Sequence, residues 1–357
     1  MPLNARKFGD FPVGLLKWAL RTPLVGLSVY MLGIGSSPAG SIVPPRCPPD
    51  QCRSTLMLPV SLFGEDERRT ETEYAREHKL SLRQVQDRYA ASGAIICTGF
   101  GQRSNRRPVL YASGQVTVRR DIVTTTAHTI IDKNARLMGR LESCVFETTV
   151  GGRKVSARLT SDYIAGFKDD RDSHFAGFDW AVIRLERELP VEPYGVVDDI
   201  QPLFSWLDVA NVTKVANFNF DNWGRRRARM KSIADCAIKP ETVAWSTGVR
   251  GLRTDCDIAP GNSGGAVLSE VSGKPKLIGI MVGTTATSFT TRKPFDLLHD
   301  YNIGALVEGE FLQAIRDMSS TMPVGEMQAA LNSLGFDAGS PDGLAGPRTR
   351  AAIRAFE

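Results

Sequence analysis

The chain has 357 residues, 42% of them hydrophobic, with 33 glycines and 20 prolines. That length allows one or two domains with sizeable cores, and the balance excludes a disordered or collagen-like chain. The formal net charge is +5, but Arg6, Lys7, Lys17 and Arg21 against Asp10 supply +3 of it, and the remaining +2 gives no electrostatic reason to expect a nucleic-acid partner.

Residues 1–40 read as a signal peptide. Scattered basic residues come first, then the mostly apolar run Leu24–Ile34, then small residues through Ser36, Ala39 and Gly40. The apolar run falls short of the ~20 residues that span a bilayer. An uncleaved membrane anchor is the alternative, and it would have to recruit Leu15–Leu20 across Lys17, Arg21 and Pro23. The expected location is therefore secreted or periplasmic, with membrane contact only through such an anchor. The six cysteines, Cys47, Cys52, Cys97, Cys144, Cys236 and Cys256, are even in number. With an export signal they read as disulfide candidates, and their pairing stays open. A zinc site lacks a Cys-x-x-Cys pair or a neighbouring His, so neither metal nor cofactor is expected.

Residues 41–92 form a linker and a charged extension. Positions 41–60 are rich in proline, and 64–90 carry Leu82, Val85 and Tyr89 at helical spacing. A propeptide and a packed N-terminal extension both fit. From Ser92 the pattern changes to short β-rich runs separated by turn residues, among them Ala94–Cys97, Val109–Tyr111, Gln115–Val118, Ile122–Thr126, Trp180–Leu185 and Leu277–Val282. Many short strands predict an all-β barrel or sandwich. The stretch 93–318 has room for two small barrels and a closing helix, Glu308–Met318, with Phe311, Leu312 and Ile315 on one face. Residues 324–357 read as helix, turn, helix. Met327, Ala330, Leu331 and Leu334 form one apolar stripe, Gly335 is a stop, Pro347 starts the second helix, and Ile353 and Phe356 continue the stripe.

Three local signals carry chemistry. Ile122–Thr126 leads into Ala127-His128, which puts an imidazole at a strand end. A serine hydroxyl is a weak nucleophile and needs such a base with a near-neutral pKa. Asp179 opens an apolar strand, where a carboxylate can orient the imidazole. Ser263 lies in Asp257-Ile-Ala-Pro-Gly-Asn-Ser-Gly-Gly265. Glycines there permit a tight turn that aims the N–H groups of Gly261 and Ser263 at one oxyanion. Each signal alone has an ordinary reading: a structural His, a strand-capping Asp, a Gly-rich hairpin loop. The block also fits the nucleophile elbow of α/β-hydrolases, but only His299 follows Ser263, with too little chain left for further βα units.

Taken together, in the order His128, Asp179, Ser263, the signals resemble the trypsin-like (chymotrypsin-fold) serine peptidases, nearest their bacterial, glutamyl-endopeptidase-like branch. The resemblance covers 93–318. It implies two packed six-stranded antiparallel β-barrels with a C-terminal helix, a protein or peptide substrate, and an endopeptidase mechanism through that triad. It also implies a disulfide between Cys236 and Cys256 ahead of the nucleophile loop. Two rivals stand beside it: an esterase using the same triad, and a non-catalytic envelope-binding protein on a peptidase scaffold.

The departures from the family carry information. Animal trypsins place Asp just before the nucleophile, to receive a newly cut N-terminus; Asn262 has no charge for that role. The strand Leu277–Gly283 is expected to line the specificity pocket. Glutamyl endopeptidases carry a His there where this chain has Met281, which puts a Glu preference in doubt. Asp257 lies six residues before Ser263, as the pocket Asp of trypsin does, and is a candidate for selecting Lys or Arg. The basic run Arg225, Arg226, Arg227, Arg229 and Lys231 fits a solvated loop, or a contact with an anionic envelope polymer. Residues 324–357 resemble a peptidoglycan-binding-like module that stops short of the family's usual length. Peptidoglycan or another envelope component is thus an expected partner.

Overall fold

The computed structural model describes residues 63, 65–99, 109–132, 134, 136–166, 176–200, 213–219, 230–241, 251–270, 273–284, 301–343 and 346–356. All of them lie within the compact unit Ser54–Glu357. The signal-peptide, anchor and linker readings, Cys47, Cys52, His299 and most of the basic run from Arg225 fall outside the described residues.

The charged extension folds as a strap followed by two short helices, where the sequence pattern predicts one amphipathic helix. Strand β1 (Arg69–Thr70) leads into α1 (Glu71–Glu77), and α2 (Leu82–Arg88) follows. Both helices open on capping boxes, Thr70 with Glu73 and Ser81 with Gln84, which satisfy otherwise orphaned N–H groups. Lys79, at φ +56°, breaks the chain between them. The helices pack inward. Val85 and Tyr89 are fully buried, whereas Leu82 is exposed. The Lys231 ammonium is buried beneath them, donating to the Tyr89 carbonyl at 2.7 Å and lying 3.5 Å from the Glu71 carboxylate.

The first β unit is a closed antiparallel barrel. Its strands are β2 (Ser92–Thr98), β3 (Val109–Val116), β4 (Ile122–Thr125), β5 (Cys144–Val150), β6 (Arg153–Ala165) and β7 (Ala181–Leu185), joined in the order β2-β3-β4-β7-β6-β5. The two runs predicted within 109–118 are one continuous strand. Gly114 lets it pass close to its neighbours, since a Cβ there would stand 2.9 Å from Ile95 Cδ1. Cys97 and Cys144 face each other across β2 and β5 and form a disulfide.

The second β unit contains β8 (Gly195–Val196), β9 (Thr213–Asn219), β10 (Met230–Cys236), β11 (Ile238–Glu241), β12 (Gly251–Thr254), β13 (Ala266–Ser269), β14 (Lys276–Thr284) and β15 (Asn302–Leu306). Its path is β1-β10-β9-β13-β14-β15-β12-β11, with β8 parallel to β14. The β-barrel architecture expected from the sequence is present, with a closed six-stranded antiparallel barrel and a closing C-terminal helix. Among the described residues the second unit is an open half-barrel rather than a closed six-stranded ring, and the extension's β1 pairs with the β10 edge.

Helix α3 (Gly309–Ser320) closes the domain. Phe311 stacks on Trp180 at 5.0 Å between ring centres. Arg184 on β7 ties down the end of α3, donating to the Met318 carbonyl and to Thr321 Oγ1, both at 2.8 Å. The same guanidinium pairs with Asp121 and Asp162 and is almost wholly buried.

The C-terminal piece forms α4 (Val324–Ser333) and α5 (Pro347–Phe356) around a small core of Leu331, Ala338 and Ala352. Leu334, predicted in the apolar stripe, is exposed and lies just past α4. Phe356 is also largely exposed but meets the edge of Phe336. A buried amide replaces the missing apolar bulk. Gln328 donates to Asp342 and Thr349 and accepts the Gly343 amide.

Candidate active site

His128 sits in a single 3-10 turn, Ala127–Thr129, directly after β4. The turn follows from the strand's end: Thr126 is still extended, and the Ile130 amide closes back onto the Ala127 carbonyl. Asp179 lies two residues ahead of β7, the strand paired with β4 in the barrel wall. That pairing brings the two side chains together across 51 residues of chain: His128 Nδ1 lies 2.5 Å from Asp179 Oδ2, and the His128 backbone N–H donates to Asp179 Oδ1 at 2.9 Å. The carboxylate therefore fixes both the ring and the backbone that carries it. Burial by itself lowers the affinity of the His128 ring for a proton. The Asp179 charge and its hydrogen bond outweigh that and hold the pKa above the usual histidine value.

The Ser263 loop docks onto the same barrel from the second β unit. Ser113 on β3 reaches it twice, with Oγ donating to the Gly261 carbonyl at 2.7 Å and N–H donating to the Ser263 carbonyl at 2.8 Å. Thr125, three residues before His128, donates its hydroxyl to the Ser113 carbonyl at 2.7 Å. Gly264 is the close-approach point. Its φ is +82°, and a Cβ there would run into Thr125 Oγ1 and the Ser113 carbonyl. The loop is thus seated against the strand that ends at His128. Among the described residues, neither Ser263 Oγ nor the outer ring nitrogen of His128 has a hydrogen-bond partner. Catalytic hydrogen bonds are commonly loose before substrate arrives.

Within the loop, most amides are committed. Asn262 N–H donates to the Ala259 carbonyl, Gly264 N–H to the Met281 carbonyl and Gly265 N–H to the Asn262 carbonyl. Asn262 Oδ1 accepts the Ala259 amide at 2.6 Å, so the uncharged residue beside Ser263 serves as an internal turn clasp. Among the described residues, the N–H groups of Gly261 and Ser263 donate to no protein acceptor. Gly261 has φ +93°, which a side chain would strain.

The two predicted pocket residues are both buried. Asp257 is 1% exposed, and its oxygens accept the amides of Phe63 at 2.9 Å and Glu67 at 2.7 Å. So enclosed, the carboxylate anchors the N-terminal strap. Burial raises its pKa to about 7 against the opposing pull of those two amides; Asp66 adds to the rise and Arg68 opposes it. Met281 is fully buried in the apolar cluster of the second unit, with Val267, Ile278 and Leu306. Its backbone, not its side chain, serves the site, since Met281 N–H donates to the Gly265 carbonyl and its carbonyl accepts Gly264 N–H. Cys236 and Cys256 are joined, as the resemblance implied, so their sulfurs are not thiolate ligands even though Asp255 lies beside them. Ser113, Thr125 and the strap amides escaped the sequence reading. Ser113 and Thr125 sit in ordinary strand sequence, and a backbone amide carries no residue-type signal at all.

Residues 322–357 match the family model described as "Putative peptidoglycan binding domain". No curated protein matches the chain in sequence. Among solved structures, one of a Glu endopeptidase in complex with MPD is similar over 73% of this chain and 100% of its own, at 13% identity and a TM-score of 0.48.

Proposed function

We propose that this chain is an extracytoplasmic serine endopeptidase, with Ser263 as nucleophile, His128 as general base and acid, and Asp179 as the group that orients the imidazole. The observation that carries this reading is the two-point hold of Asp179 on His128. A carboxylate bonded to Nδ1 leaves the other ring nitrogen to take the Ser263 proton and return it to the leaving amine. The uncommitted N–H groups of Gly261 and Ser263 flank the nucleophile and would receive the oxyanion of the tetrahedral intermediate. The disulfides and the C-terminal module fit a cell-envelope setting. In that setting, the module would hold the peptidase on peptidoglycan while the triad cuts a protein or peptide chain.

The decisive experiment is labelling of the purified protein with a fluorophosphonate probe, beside the Ser263→Ala variant. The wild type is expected to label and to cleave peptides. The variant is expected to do neither, with a loss on the order of 10⁶ in kcat. Absence of wild-type labelling would support the non-catalytic scaffold. Higher kcat/KM on esters than on matched peptides, with no protein cleavage, would support the esterase.

A further inference from the structure

The extension that precedes the barrels reaches the nucleophile loop through one buried side chain. The strap is stiff in its own right. Arg68, 3% exposed, forks onto Asp66, its Nε on Oδ1 and its Nη2 on Oδ2, both at 3.0 Å. Immediately after it, β1 pairs with β10 through Arg69 opposite Ile233 and Thr70 opposite Ser232, and the Thr70 capping box then starts α1. The far end of β10 is Cys236, whose disulfide partner Cys256 is the residue before Asp257. Strap and nucleophile loop therefore share β10 as a common base, and Asp257 closes the circuit by accepting the Phe63 and Glu67 amides.

From Asp257 the path into the site is short. Two residues on, Ala259 exchanges hydrogen bonds with Asn262: its amide goes to Asn262 Oδ1 and its carbonyl accepts Asn262 N–H. That exchange closes the turn that presents the Gly261 and Ser263 amides. Nothing else among the described residues contacts the Asp257 carboxylate by hydrogen bond, and the two charges that act on it, Asp66 and Arg68, both belong to the strap.

The geometry points to Asp257 as a positioning residue: its carboxylate clamps the N-terminal strap to the chain leading into Ser263 and so holds the Gly261 and Ser263 amides in register for an oxyanion. The extension is on this account a permanent part of the working peptidase, not a segment to be discarded. The inference rests on the peptidase reading above and deepens it. The two remain separable because a loop can be braced whether or not it catalyses.

Two variants of the full chain test it. Asp257→Asn keeps one acceptor oxygen and turns an NH₂ toward the second amide, which breaks half of the clamp. Glu67→Pro removes one donor and leaves Asp257 untouched, so it serves if the first variant fails to fold. For each, kcat and KM are measured on substrates with basic, acidic and apolar side chains. Hydrogen exchange is followed across residues 257–265. The expected result is a fall in kcat of about 100-fold on all substrate classes alike, the scale of a 1 Å misplacement, with KM little changed. Exchange of the Asn262, Gly264 and Gly265 amides is expected to quicken at least tenfold in both variants. Unchanged kcat together with unchanged exchange would overturn the proposal, as would a loss confined to basic substrates, which would restore Asp257 as a specificity residue. If the wild type takes no fluorophosphonate label, the peptidase reading falls, and the exchange rates alone uphold or overturn the clamp.

Discussion

Asp179 holds His128 at two points, through the ring at 2.5 Å and through the backbone N–H at 2.9 Å. Two acceptor oxygens on one carboxylate thus fix both the tautomer of the imidazole and the turn that carries it. An Asn at position 179 satisfies one of these bonds and sets an NH₂ against the other.

Asp179→Asn is accordingly expected to lower kcat by about 10⁴ while the fold persists, because the ring is then held in the wrong tautomer. Steady-state kinetics beside a thermal melt separates loss of catalysis from loss of structure. A variant with wild-type kcat would remove His128 and Asp179 from the mechanism.

On the proposed mechanism His128 must be neutral to accept the Ser263 proton, so activity is expected to rise with pH through the ionisation of His128. The midpoint lies above the ordinary 6.5, since Asp179 favours the imidazolium. Stability runs the other way. His128 and Asp257 both have folded-state pKa values above their ordinary ones, 6.5 for the His and about 7 against 3.8 for the Asp, so the folded chain binds protons more tightly than the unfolded one. The contribution of each is full below its unfolded pKa and is lost as pH rises through its folded one. Melting temperatures taken from about pH 4 to about pH 8 are expected to show these two groups pulling stability down as activity climbs, and Asp257→Asn is expected to flatten the acid half of that slope.

The two disulfides close loops of different length. Cys236–Cys256 spans 20 residues and Cys97–Cys144 spans 47. Chain-entropy scaling gives about 3 kcal/mol for the first and about 4 kcal/mol for the second. Serine pairs at each, compared by urea denaturation, check the order. Loss of Cys236–Cys256 is expected to cost activity beyond its stability effect, because it frees the residue next to Asp257.

Arg184 donates five hydrogen bonds from inside the protein, to Asp121, Asp162, the Met318 carbonyl, and the carbonyl and Oγ1 of Thr321. Arg184→Ala leaves Asp162 and the end of α3 without their partner, while Asp121 keeps Arg119, an expected loss of about 3 kcal/mol. Chemical denaturation measures it. Residual folded protein is expected to retain any kcat of the wild type, since Arg184 lies at the opposite end of β7 from Asp179.

Much of this molecule is local enough to be written in the chain. The strand pattern predicted the β architecture, because alternation and turn residues report on each segment separately. The Ala-His, Asp-apolar and Gly-Asn-Ser-Gly-Gly blocks marked His128, Asp179 and Ser263, because each demands particular residue types at a strand end or a tight turn. The helical C-terminal piece was legible from its stripe and its stops, although burial of Gln328 in place of a larger apolar core was not.

What no local pattern contains is which partner a side chain meets across the chain. Asp257 stands at the spacing of a pocket carboxylate, yet tertiary folding spends it on the amides of Phe63 and Glu67, nearly two hundred residues away and identical in kind to every other amide. Met281 lies on the expected strand, but the pairing of β14 sends its side chain into the core and leaves its backbone to hold Gly264 and Gly265. Residue identity settled what chemistry this chain can attempt. Long-range backbone hydrogen bonding, which no side-chain pattern records, decided where the Ser263 loop is seated and what holds it there.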